Sequence, residues 1–160
     1  MSADCQHEEG SRPGLHGPAL GHALGRAERF CQSADQRLTA PRRRVLELLL
    51  EAHSPLKAYD LIAAFGLDGA PAKPPTVYRA LDFLERQGFA HRIESLNAYV
   101  PCRIESPGHR AAFVICDCCG ATTEFQPDFG PPLAGAEAAG FAVRDVMLEA
   151  RGLCGACRSD

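Results

Sequence analysis

Two cysteine pairs constrain this chain more than any other feature of it. Cys116-Asp117-Cys118-Cys119 and Cys154-Gly155-Ala156-Cys157 each set two thiols three positions apart. On a tight turn that spacing aims both sulfurs at one point, which is half of a tetrahedral zinc site. The pairs are separated by 34 residues, room for a strand–helix–strand insertion. Gly120 and Gly155 relieve backbone crowding at the two turns. Thiol redox chemistry at one pair is the competing reading. A redox centre needs only one pair, however, and both pairs here flank expected strand ends in a segment with little apolar core. The expected ligands of a closed, structural zinc site are therefore Cys116, Cys119, Cys154 and Cys157. Cys118 competes for a place, but neighbouring sulfurs at 118 and 119 do not readily point the same way. Cys5 and Cys31 are read as ordinary thiols.

Eight cysteines in 160 residues is a high count, and the N-terminus, with Asp4, Glu8 and Glu9 and no apolar run, does not resemble a secretory signal. A disulfide framework is thus a poor explanation, and a cytoplasmic setting is expected. No apolar stretch approaches the ~18 residues that a membrane span requires, so no membrane partner is expected. The net charge of −3 counts against a polyanionic partner until it is divided along the chain. Residues 1–19 contribute −2, residues 20–96 +2 and residues 97–160 −3. Basic groups gather in the first half, and cysteines in the second.

Apolar spacing organises the first half. Residues 1–19 read as a mobile tail, followed by a short helix over 23–31. Thr39 is placed to cap a helix with Pro41 in its first turn and Val45, Leu46, Leu49 and Leu50 on its buried face. Ala58, Leu61, Ile62 and Phe65 repeat the spacing. A linker with Pro71, Pro74 and Pro75 ends at Thr76, read as a second cap, before Val77, Ala80, Leu81 and Leu84; Gly88 stops that helix. The spacing predicts helices over 39–52, 57–65 and 76–87, then a hairpin of 89–96 and 98–103 around Asn97. This is the order of a winged helix-turn-helix, whose last helix enters the major groove. Tyr78, Arg79, Asp82 and Arg86 then face outward. Arg79 is placed to meet a guanine edge, and Tyr78 a thymine methyl or a phosphate. Arg42, Arg43 and Arg44 suit phosphates. Residues 104–110 read as a hinge, 111–116 and 121–125 as a strand pair, 131–140 as a short helix and 141–149 as a last strand, irregular between Val143 and Val146.

The runs Arg37-Leu38-Thr39-Ala40-Pro41-Arg42, Ala58-Tyr59-Asp60-Leu61 and Lys73-Pro74-Pro75-Thr76-Val77-Tyr78-Arg79-Ala80-Leu81-Asp82-Phe83-Leu84 resemble the ferric-uptake-regulator family. Gly88-Phe89-Ala90-His91-Arg92-Ile93-Glu94-Ser95 and Gly152-Leu153-Cys154-Gly155-Ala156-Cys157 are similar to its zinc-uptake-regulator branch. The resemblance spans about residues 20–157. It implies an α+β chain: an N-terminal winged helix over 20–103, a hinge over 104–110 and a small α/β metal-binding dimerisation domain over 111–160. It also implies a homodimeric, metal-dependent repressor on inverted-repeat operator DNA, with no small organic substrate. Tyr59 and Thr76 fall within the matched runs and join Tyr78, Arg79, Arg42 and Arg43 as implied DNA-binding positions.

The branch further implies a second, regulatory zinc per chain, held by His91, Cys102, His109 and Glu124. Two imidazoles, a thiolate and a carboxylate suit Zn²⁺ better than Mn²⁺ or Fe²⁺. Other branches carry a histidine-rich cluster just before the first cysteine pair. Here only His109 stands there, which favours zinc over sensing of iron, manganese or peroxide. A thiol–disulfide protein and a zinc-ribbon adaptor without a DNA role remain as alternatives. No nucleophile–base constellation or phosphate-cradling glycine loop points to an enzyme.

Overall fold

The computed structural model describes residues 14–66, 70–103, 111–126, 135, 139–142 and 146–158. The chain divides after Arg103 into two compact units. The first holds four helices, α1 (Gly17–Ser33), α2 (Ala40–Glu51), α3 (Ala58–Ala64) and α4 (Pro74–Arg86), and a hairpin of β1 (Ala90–Ile93) and β2 (Ala98–Pro101). The second contains β3 (Ala112–Cys116), β4 (Thr122–Phe125) and β5 (Leu148–Gly152), in the sheet order β4-β3-β5.

One core unites the four helices with the hairpin. Leu24, Ala27 and Cys31 of α1 meet Val45, Leu46, Leu49 and Leu50 of α2, Leu61 of α3, and Val77, Ala80, Leu81 and Leu84 of α4. These positions recur at three- and four-residue intervals, so each helix turns one stripe inward. Phe83, outside the expected stripe, is buried as well. α1 opens at Gly17, inside the stretch read as tail, and is much longer than expected. The rest of that stretch that bears on the reading, residues 1–13, lies outside the described residues.

Thr39 precedes α2 in extended conformation as expected, but its side chain makes no capping bond. Thr76 is not a cap. α4 begins two residues earlier, because Pro74 needs no N–H donor in a first turn and brings its φ already set for a helix; Lys73 takes the cap position. At the other end Gly88 has φ +73, its N–H donates to the Glu85 carbonyl (3.0 Å), and the Phe89 N–H donates to Leu84 (2.8 Å). This paired closure satisfies the last helix carbonyls and needs a left-handed residue. It delivers the chain from α4 directly into β1.

The hairpin pairs His91 with Val100 and Ile93 with Ala98, antiparallel. A 3-10 turn, Glu94–Leu96, and left-handed Asn97 close it, so its strands are shorter than expected. Arg92 Nη2 donates to Asn97 Oδ1 (3.0 Å) across this turn. Leu56 and Tyr99 exchange backbone hydrogen bonds of 3.0 and 2.7 Å, fastening the α2–α3 loop to the wing.

In the second unit β3 pairs antiparallel with β4 and parallel with β5. A parallel partner requires a crossover of a dozen residues or more, and 126–147 supplies it. The expected last strand over 141–149 is corrected: β5 starts only at Leu148 and runs on to Gly152. Its register is set by β3, which pairs Ala112 with Leu148 and Cys116 with Gly152. The helix expected over 131–140 falls almost wholly outside the described residues, as do 143–145 and the hinge 104–110. Among the described residues no helix is long and apolar enough to cross a membrane.

The same exchange at two glycines should have opposite signs. A Cβ at Gly88 meets nothing within 4 Å, so Gly88→Ala adds only left-handed strain and should cost about 1–2 kcal/mol. Gly21 lies inside α1 with equally open space, and Gly21→Ala should stabilise by about 0.5–1 kcal/mol. Urea unfolding of both variants measures the pair.

Candidate metal centre and nucleic-acid interface

The parallel register builds the cysteine centre. Cys116 ends β3 and faces Gly152, two residues before Cys154. The Asp117 N–H donates to the Gly152 carbonyl (2.7 Å), and Arg151 Nε donates to Asp117 Oδ1 (2.8 Å), so both turns are fastened to each other. Within the first turn, Gly120 N–H returns to the Cys116 carbonyl (3.0 Å) and Gly120 takes φ +72. In the second, Arg158 N–H reaches the Cys154 carbonyl (2.9 Å).

The sulfurs of Cys116, Cys119, Cys154 and Cys157 all lie within 4.8 Å of one another. Cys119 Sγ and Cys154 Sγ are 3.7 Å apart. A tetrahedral zinc with bonds of ~2.3 Å needs sulfur–sulfur edges of about 3.8 Å. The Cys119–Cys154 edge already has that length, and no other edge exceeds 4.8 Å. Cys116 and Cys157 are buried, with Ala121 packed beside them. Cys118 is exposed and outside the cluster, which resolves the choice within the first turn in favour of 116 and 119. Cys31 is buried in the helical core, where burial raises its thiol above the ordinary value. Cys5 lies outside the described residues.

Electrostatics make the cluster cation-seeking. The backbone N–H groups of Cys119 and then Cys154 hold the Cys116 thiol down at about 6; the Cys154 N–H lies 3.3 Å from its sulfur. Burial first, and then the crowd of thiols, pushes Cys157 up to about 12. At Cys119 the Ala121 N–H pulls downward, but burial and the bond with Cys116 outweigh it and raise the thiol. One sulfur ionises readily and its neighbours then resist. A divalent cation removes that resistance by letting all four donate as thiolates. Four converging sulfurs leave no open position, unlike a redox pair, which must admit a partner thiol.

The expected regulatory ligands fall in both units. On the hairpin, His91 and Cys102 are diagonal neighbours on one face, with the Cys102 N–H donating to the Phe89 carbonyl (2.9 Å). Their ligand atoms lie within 4.8 Å of each other. Glu124 is half-buried on β4, opposite Phe113. His109 lies outside the described residues.

α4 presents Tyr78, 53% exposed, together with exposed Arg79, Asp82 and Arg86. Asp82 and Arg86 pair at 2.6 Å, one turn apart. Tyr59, 77% exposed, stands on the first turn of α3, and Thr76 is half-buried in the first turn of α4. The arginine run divides. The Arg42 guanidinium lies 3.6 Å over the Phe83 ring and donates to the Arg37 carbonyl (2.6 Å). Arg44 donates to the carbonyls of Phe65 (2.9 Å) and Ala64 (3.2 Å) and to Glu47 (2.8 Å). Three of its five N–H donors are therefore engaged within the protein. Arg43 makes no ion pair or side-chain hydrogen bond among the described residues. Arginine spacing alone could not reveal which guanidinium finds a carbonyl, since those carbonyls belong to another helix.

A model of the ferric uptake regulator family matches residues 33–150. The chain belongs to that family. Within it, the zinc uptake regulation protein of Escherichia coli (strain K12) is 44% identical over 137 residues, covering 84% of this chain and 80% of that protein. Among solved structures, a zinc uptake regulator complexed with zinc and DNA superposes with a TM-score of 0.81 at 42% identity, covering 89% of this chain and 97% of that one. Holo XcZur gives 0.79 at 40% identity, covering 89% and 100%. These matches establish the family fold, helices followed by small sheets, that the family resemblance implies.

Because Cys119 and Cys157 hold their protons above the ordinary thiol range, zinc uptake at pH 7 must expel at least those two. Apparent zinc affinity should therefore fall steeply as pH drops. Competition titrations between pH 6 and 8, with proton release followed in weak buffer, should show it; a pH-independent affinity would contradict the four-thiolate site.

Proposed function

We infer that this chain is a zinc-responsive DNA-binding transcriptional repressor of zinc-uptake genes. It is a regulator and not an enzyme. The observation that carries the reading is the continuity of α4 with the wing: the Gly88 turn leads straight from the helix bearing Tyr78 and Arg79 to His91 and Cys102. A change at the metal ligands thus bears on the reading head through one short covalent path. The relatives described as zinc uptake regulators, one of them bound to zinc and DNA, support it.

Cys116, Cys119, Cys154 and Cys157 hold a permanent structural zinc, supported by sulfur spacing that fits the ion. His91, Cys102, His109 and Glu124 hold the regulatory zinc, making two per chain. The support is the His91–Cys102 diagonal pair, whose imidazole and thiolate favour zinc over harder-ligand metals. Bound there, zinc supplies four coordinate bonds that join ligands from the wing, the hinge and β4. His91 and Cys102 thereby constrain where the winged helix points. In a homodimer, two so constrained heads match half-sites about one helical turn apart. Moving such an equilibrium from 1:99 to 99:1 takes ~5.5 kcal/mol of differential metal affinity, within reach of a four-ligand site. Arg79 and Tyr78 read bases, with Arg43 on phosphate and Tyr59, Thr76 and Arg42 as further DNA-binding positions. The chain comprises a winged helix to Arg103, a hinge over 104–110 and a dimerisation unit beyond it, in a cytoplasmic protein.

Cys102→Ser and His91→Ala should each keep one zinc per chain by native mass spectrometry and lose zinc-dependent operator binding. Survival of that dependence in both would remove the assigned regulatory site. Arg79→Ala should cost about 1–3 kcal/mol on operator and relax specificity at the base pair it reads, measured by fluorescence anisotropy.

A further inference from the structure

α3 is only seven residues long, below the length at which a helix sustains itself. Its start is tied by the Lys57 N–H, which donates to Asp60 Oδ2 (3.1 Å). Its far end is held by a side chain from another helix. Arg44 Nη2 donates to the Ala64 carbonyl (3.2 Å) and Arg44 Nε to the Phe65 carbonyl (2.9 Å). The cation thus sits where the last turn of α3 exposes carbonyls and carries partial negative charge. Glu47, one turn along α2, accepts from Arg44 Nη1 at 2.8 Å and fixes the direction of the fork. Both partners of that pair are about one-fifth exposed, so the contact is partly shielded from solvent.

Tyr59 rises from the first turn of this same helix, 77% exposed. Tyr59 and Phe65 are six positions apart, about 9 Å of helix axis at 1.5 Å per residue. Any tilt at the Arg44 end therefore moves the Tyr59 end. We propose that Arg44 is a positioning residue for operator recognition, a guanidinium pin that locks α3 to α2 and so aims Tyr59, and not a phosphate contact. The proposal rests on the DNA-binding role given to Tyr59 above. It also divides the arginine run by function: Arg42 braces Phe83, Arg44 pins α3, and Arg43 meets the phosphate backbone.

The test uses the full-length, zinc-loaded protein with a duplex selected by that protein from a random pool, and with an unrelated duplex. Binding is followed as salt is varied. Arg43→Ala should reduce the slope of log affinity against log salt by about 0.9 on both duplexes, as the loss of one phosphate contact requires. Arg44→Gln should leave both slopes and the affinity for the unrelated duplex unchanged. It should weaken binding to the selected duplex about tenfold, because Tyr59 must then be ordered on binding. Adding Tyr59→Ala to Arg44→Gln should cost little more, since both remove one aimed contact. Arg44→Lys keeps the charge without the fork and should behave like Arg44→Gln; Glu47→Gln, which leaves the pin but frees its direction, should show a smaller loss in the same sense.

Hydrogen exchange without DNA gives an independent readout: α3 amides should lose protection in Arg44→Gln and keep it in Arg43→Ala. A reduced salt slope in Arg44→Gln, restored by Arg44→Lys, would make Arg44 a phosphate contact and overturn the proposal. So would additive losses with Tyr59→Ala, or unchanged α3 protection. Failure of the wild-type protein to select any duplex would instead overturn the DNA-binding reading, with the α3 exchange result still deciding whether Arg44 is a pin.

Discussion

Four sulfurs within 4.8 Å of one another cannot all carry charge unless a cation sits among them. That constraint organises the whole second unit. β3 supplies one cysteine turn and β5 leads into the other, and their parallel register, with Cys116 opposite Gly152, makes the turns meet. The strands are short, and the apolar side chains they bury are few, chiefly Ala112, Phe113 and Ile115. A sheet of this size has little hydrophobic stabilisation to offset chain entropy. Bonds from four thiolates to one ion would replace what the core does not provide, and the Asp117–Arg151 pair holds the two turns in register.

In the first unit the stabilising interactions are of another kind. There the helices bury continuous apolar stripes, and polar side chains are used to fix directions. Arg42 lies on Phe83, Arg44 holds the end of α3, and Arg92 closes the wing turn on Asn97. Each guanidinium donates to a carbonyl or amide oxygen: of the α1–α2 connection for Arg42, of the end of α3 for Arg44, and of the wing turn for Arg92. The exposed residues of α3 and α4 are presented by a scaffold whose angles these contacts set. The wing continues that scaffold without a break, because the Gly88 turn leaves no slack between α4 and His91.

Much of this was legible in the chain. The apolar positions at 45, 46, 49 and 50, at 58 and 61, and at 77, 80, 81 and 84 are buried as their spacing predicts. Gly88 ends α4, Asn97 turns the wing, and the two cysteine pairs converge as their motif predicts. Errors arose where a local signal had a rival. Thr76 is a good capping residue, but Pro74 starts the helix before it is reached. β5 was expected too early, because alternation in 141–149 carries no information about which residues β3 pairs. The start of α1 was hidden by Gly17 and Pro18, which read as tail yet suit a helix entrance.

By itself the sequence determined the identities that chemistry requires: four cysteines at ligand spacing, helix stripes of correct period, and a left-handed glycine behind α4. These depend on neighbours within a few positions, so a linear reading reaches them. Only the tertiary structure decided which strand β3 takes as its parallel partner and where each arginine of the run spends its donors. Those outcomes depend on carbonyls distant in the chain. A guanidinium bonds whatever oxygen folding brings within 3 Å, and no spacing along the chain encodes that oxygen's position.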